Sequence, residues 1–97
     1  MIIRDLIWLE EIIEKLEQKH NVFLFEVTEV FESHPHFRFI SKGRRHKKED
    51  VFAAYGRTGA GRYLTVFFIY KQDRRALIIS ARDMDHKERK RYVKKGS

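Results

Sequence analysis

Cysteine is absent from this chain, so it holds no disulfide, no thiolate metal site and no cysteine nucleophile. With one proline and five glycines, no flexible linker or low-complexity segment is visible, and no internal repeat. Long apolar runs are missing too. The longest, Leu64 to Tyr70 interrupted by Thr65, is far short of a membrane span. The N-terminus lacks a basic region followed by an apolar one, so no secretory signal is expected and the cytoplasm is the default location. A length of 97 residues predicts a single domain and excludes a two-domain dehydrogenase, a barrel enzyme or a kinase by size. What is present is a globular balance of 42% hydrophobic and 36% charged residues. Eight Phe, four Tyr and one Trp supply a modest core. At this length roughly 60–65% of the unfolded surface can be buried.

Acidic side chains are in the minority, 14 against 21 Lys plus Arg, and the net charge is +7. The excess is unevenly placed. Residues 1–33 hold three basic and eight acidic groups, a net of −5, whereas residues 34–97 hold 18 basic and six acidic groups, a net of +12. A basic excess confined to two thirds of a small domain reads as a footprint for a polyanion, of which nucleic acid is the commonest in a cytoplasm. The alternative is a solvated surface that only keeps the chain soluble.

Periodicity gives the element order. Ile2 to Trp8 is short, apolar and rich in β-formers, which predicts a first strand or extended arm. Leu9, Ile12, Ile13 and Leu16 recur at helical spacing, with Glu10, Glu11, Glu14 and Glu17 outward, and the helix is expected to end near His20-Asn21. A second helix is expected over Leu24 to Glu32, stopped by Ser33-His34-Pro35. Strands follow at His36 to Ser41, Val51 to Arg57, Arg62 to Lys71 and Ala76 to Arg82, the third apolar on both faces and so central. Lys42 to Asp50 is a charged loop and Thr58-Gly59-Ala60-Gly61 a hairpin turn. Asp83 to Asp85 caps a last, basic helix from His86 to about Lys94. The fold class is α+β: a mainly antiparallel sheet of four to five strands, two N-terminal helices and one C-terminal helix, with the helices expected on one face.

Three stretches also carry a resemblance. Lys19-His20-Asn21-Val22 followed by Glu26-Val27-Thr28-Glu29-Val30-Phe31 is similar to a KHGV…EAxEVF opening. Gly56-Arg57-Thr58 with Gly61-Arg62-Tyr63-Leu64 resembles a G-x-T-x-x-G-R-x-L hairpin, and Ile79-Ser80-Ala81-Arg82 with Glu88-Arg89 and Tyr92 resembles an ISAR…ER..Y ending. Together, from about Trp8 to Tyr92, these resemble the BrnT family of toxins from type II toxin–antitoxin pairs. The resemblance implies a RelE-like ribonuclease fold and a small toxin that cleaves RNA and arrests translation. It also implies a partner, a BrnA-like DNA-binding antitoxin, and a dimer or heterotetramer formed with it.

RNA can be cut without a metal or other cofactor when its own 2′-hydroxyl attacks the adjacent phosphate. The protein then supplies a base, cations for the phosphorane charge and an acid for the leaving oxygen. Arginine suits the cationic task because its planar fork grips phosphate oxygens and stays charged. Arg82 is the first candidate, sharing a strand face with Ser80 opposite Leu77, Ile79 and Ala81. Arg62 beside the glycine turn is the second and Arg57 the third. Each has a structural alternative, an ion pair with Glu88 or Glu49. The acid–base candidates are His20, His46, Glu49, Glu88 and Tyr92. His20 is also explained as a helix C-terminal cap, and Tyr92, four residues after Glu88, as a ring packed on the sheet. His34-Pro35-His36 is a weak metal pair and reads better as a strand-start surface pair. Arg44, Arg45, Lys47 and Lys48 suit RNA-backbone contact or docking of an acidic antitoxin segment, or form a plain solvated loop. Two functions from different classes stand: an endoribonuclease toxin, and a non-catalytic nucleic-acid- or antitoxin-binding module on the same fold.

Overall fold

The apolar stripe of Ile12, Ile13 and Leu16 becomes α1, Glu10–His20, which ends where Asn21 takes a left-handed conformation. The backbone N–H of Val22 then closes back on the Leu16 carbonyl at 3.0 Å. Helix α2, Leu24–Glu32, starts immediately, with the Glu26 carboxylate accepting the Phe23 backbone N–H at 3.1 Å. The computed structural model describes residues 1–43 and 49–95. Its strands are β1 (Asp5–Ile7), β2 (His36–Ser41), β3 (Val51–Arg57), β4 (Tyr63–Tyr70) and β5 (Arg75–Asp83), and α3 spans His86–Lys94. The five-stranded sheet has the order β1-β5-β4-β3-β2, with β1 parallel to β5 and every other pair antiparallel. The α+β class, the central place of β4 and the turn and cap positions are as the sequence predicts. The first strand is shorter than the Ile2–Trp8 expected, pairing only over Asp5–Ile7.

One sheet face carries Leu64, Val66 and Phe68 of β4, Ala54 of β3 and Ala76, Ile78 and Ala81 of β5, all buried against Leu16, Val27 and Val30 of α1 and α2. Each fully buried Leu, Ile or Phe contributes on the order of 1.5–3 kcal/mol. The helices do not share one face as expected. Helix α3 crosses the opposite face at the end of the strands, where Glu88 bonds Thr65 and Arg82 and Tyr92 touches Tyr63 and His36. The reason is the doubly apolar β4, whose Tyr63, Thr65 and Phe67 need a cover of their own.

A second correction concerns β5. The buried positions are Ala76, Ile78 and Ala81, rather than Leu77, Ile79 and Ala81. The register shifts between Phe67 and Phe68, which face Ser80 and Ile78, so Ile79 is an extra residue on β5. This bulge reverses the alternation midway along the strand. Ser80 and Arg82 therefore still lie on the face away from Ala81, and Arg82 sits under α3.

Helix α2 lies very close to β3 at Gly56, where an added Cβ would come within 2.9 Å of both Val30 Cγ1 and Ser33 Oγ and 3.2 Å of the Val30 carbonyl. Gly56→Ala is expected to cost roughly 1–3 kcal/mol by overpacking this contact. A lowered denaturation midpoint at unchanged m-value checks it; an unchanged midpoint contradicts the close approach.

Candidate functional site

Two ion networks meet at the end of the sheet, one on each face. On the face of α1 and α2, Arg62 leaves the Thr58–Gly61 turn, whose geometry is fixed by Thr58 N–H donating to the Arg62 carbonyl at 2.9 Å. Its Nε and Nη2 grip Asp83 at 2.7 and 3.1 Å. Nη1 donates to the Asn21 carbonyl at 2.7 Å and to Glu26 at 3.1 Å, and Nη2 to the His20 carbonyl at 3.1 Å. All five guanidinium donors are thereby engaged. The bond to Asp83, with the Asp83 and Glu26 charges, raises the Arg62 pKa against the opposing effect of burial. In return the bond from Arg62, joined by the Arg62 and His20 charges, holds the Asp83 carboxyl below its ordinary range. His20 is thus placed by the end of α1 beside this network.

On the other face, Arg82 pairs with Glu88 in a two-pronged contact, Nη1 to Oε1 at 2.6 Å and Nη2 to Oε2 at 2.9 Å. Glu88 Oε1 also accepts from Thr65 Oγ1 at 3.0 Å and from the Asp85 backbone at 2.9 Å, closing the capping box that starts α3. Burial pushes the Glu88 carboxyl up, but the bonds from Arg82, Asp85 and Thr65 outweigh it and hold the group below its usual range. The bond to Glu88 raises the Arg82 pKa, and Arg82 keeps 36% of its side chain exposed, its guanidinium 5.3 Å from the Phe67 ring centre.

Beside this pair a cleft of about 520 Å³ opens between α3 and strands β2 and β3, lined by His36, Phe37, Arg38, Tyr55, Glu88, Arg91, Tyr92 and Lys95. Three cations at the cleft against one carboxylate, itself neutralised by Arg82, favour an anionic occupant. Tyr92 is buried and packs edge-on against His36 and Tyr63, at 5.2 and 5.8 Å between ring centres. The guanidiniums of Arg89 and Arg57 lie 4.2 and 4.9 Å from the Tyr63 ring centre.

Arg82, Glu88 and Tyr92 therefore come together, with Arg57 nearby around Tyr63. Arg62 and His20 are beneath them on the opposite face. Glu49 is not brought to the site: it pairs with Lys71 at 3.1 Å, at the far end of the sheet. Arg44, Arg45, His46, Lys47 and Lys48 lie outside the described residues. Sequence reasoning missed Arg38, Arg91 and Lys95 as site cations and His36 as a cleft residue. A signal existed. Glu88, Arg91, Tyr92 and Lys95 repeat at three- and four-residue spacing along one helical face, and His36 and Arg38 alternate with Phe37. Among the described residues no group of three or more His, Asp or Glu clusters as a metal site, and no helix is long and apolar enough to cross a membrane.

The small α+β fold thus carries a cleft lined by three cations on one sheet face. Residues 8–88 match the family model of the ribonuclease toxin BrnT of type II toxin–antitoxin systems. The chain belongs to this family, and with it to the toxin side of a toxin–antitoxin pair. Comparison with individual curated proteins finds no match.

Proposed function

We propose that the chain is a metal-independent endoribonuclease that cuts RNA and so inhibits translation, acting in the cytoplasm until a BrnA-like DNA-binding antitoxin occupies it. The observation that carries this reading is the cationic cleft against the Arg82–Glu88 pair. Arg38, Arg91 and Lys95 hold backbone phosphates along the cleft. Arg82 turns its unused N–H donors to the phosphate under attack and stabilises the charge that develops there. Glu88 fixes the Arg82 fork, and Tyr92 forms the wall on which the cleft rests. Arg57, with Arg89, extends the cationic surface past Tyr63, and the basic segment at Arg44, Arg45, Lys47 and Lys48 adds backbone or antitoxin contacts. Arg62 and His20 hold the strand end that presents Arg82.

Incubating the antitoxin-free chain with RNA in excess EDTA, and in parallel with translating ribosomes in their magnesium buffer without EDTA, tests the proposal. Fragments with 2′,3′-cyclic phosphate and 5′-hydroxyl ends are expected. A second reading, a binding module without catalysis, is favoured by one observation: Arg82 is already closed on Glu88. RNA that binds with steep salt dependence and stays intact under both conditions would select it.

A further inference from the structure

Cleavage by the 2′-hydroxyl needs a group able to take its proton, and the residues already placed at the site are poorly suited to that task. Glu88 accepts four hydrogen bonds and is held ionised by Arg82. A carboxylate so stabilised is a weak base. His20 stands beside Asp83 on the other face, and Asp85 is committed as the helix cap. His36 is different. It is half-buried at the start of β2, opposite Tyr55, and its ring rests edge-on against Tyr92. Its Nε2 is buried with no hydrogen-bond partner among the described residues. An imidazole kept in a cleft wall without a partner costs stability that an apolar residue would not, and a ligand that engages the ring relieves that cost.

We propose that His36 is a further catalytic residue, the proton acceptor for the ribose 2′-hydroxyl of RNA bound in the cleft. This rests on the ribonuclease reading above. The imidazole takes the proton as the 2′-oxygen bonds to phosphorus. The bond from phosphorus to the 5′-oxygen breaks, that oxygen takes a proton from water, and the imidazolium returns its own proton to solvent. The products are a 2′,3′-cyclic phosphate and a 5′-hydroxyl, with no oxidant or metal required. The other charged or titratable groups facing His36 are Arg38 on its own strand, Tyr55 on β3, and Glu88, Arg91, Tyr92 and Lys95 on α3.

The test compares the wild type, His36→Gln and His36→Ala in EDTA, on an RNA and on the same RNA with a 2′-deoxyribose at the cut site to measure binding alone. His36→Gln is expected to slow cleavage by about 10²–10⁴-fold while binding the deoxy-substituted RNA normally. One limb of the wild-type pH–rate profile should vanish in His36→Gln, and added imidazole should restore part of the His36→Ala rate. A His36→Gln protein that keeps both rate and limb overturns the assignment and leaves the ribonuclease reading intact. So does a loss of binding that matches the loss of rate with no rescue, which would make His36 a packing residue. A wild type that cuts nothing either in EDTA or with translating ribosomes overturns the ribonuclease reading and this assignment together.

Discussion

Arg82→Ala is expected to lower the cleavage rate by about 10²–10³-fold, the usual loss when one donor to a developing oxyanion is removed. Removing the guanidinium also leaves Glu88, only 15% exposed, without its main cation, so some loss of stability accompanies the loss of rate. Two companions separate these effects. Arg82→Ala with Glu88→Gln removes the orphaned charge and is expected to recover stability but not activity. Arg82→Lys keeps the charge without the planar fork and is expected to fall between wild type and alanine. Cleavage of a defined RNA, read beside a thermal melt, checks all three. Full activity in the stable double variant would remove Arg82 from the phosphate site.

The second large effect is on the fold. Arg62→Ala is expected to destabilise the protein by about 2–4 kcal/mol, because it strips the carbonyl cap from α1 and leaves Glu26, 12% exposed, unpaired. The largest share comes from Glu26 and the two carbonyls. Asp83 is 64% exposed, so its pairing adds little. RNA affinity should survive wherever the variant is folded, since every Arg62 donor already points into the protein. Chemical denaturation gives the stability, and salt-dependent RNA binding at low temperature gives the affinity. Loss of RNA affinity in a fully stable Arg62→Ala protein would instead make Arg62 a phosphate ligand.

These pairs also set the acid response. Asp83 and Glu88 have folded-state pKa values held below their ordinary ones by Arg62 and Arg82. Their contribution is fully present above the unfolded carboxyl value, about pH 4, and is lost as pH falls through the lowered folded values. The wild type is therefore expected to weaken progressively below about pH 4. The Arg62→Ala protein should show a shallower slope over the same range, and equal slopes by acid titration would contradict the linkage.

Much of this was legible in the chain itself. Helix boundaries followed from Leu9-Ile12-Ile13-Leu16, from Asn21 as a left-handed cap and from the cap at Asp83 to Asp85, because these signals act over three or four residues. The central position of β4 followed from its apolar residues on both faces. The grouping of Arg82, Glu88 and Tyr92 was visible because strand end, cap and helix face are consecutive.

Tertiary structure alone decided the rest. Arg62 and Arg82 look equivalent as basic residues at strand ends, yet one has every donor engaged by Glu26, Asp83 and the end of α1 and the other pairs with Glu88, which lines the cleft. That distinction depends on contacts 21 to 42 residues apart in sequence. The Ile79 bulge, which sends Arg82 under α3, is a register between two strands and has no local signature. His36, dismissed as half of a surface pair, becomes a cleft residue only because α3 returns over β2 and lays Tyr92 against its ring. Local hydrogen bonding and periodicity determine which elements form; the face each side chain reaches, and what is left unpartnered there, is set by packing between segments distant in the chain.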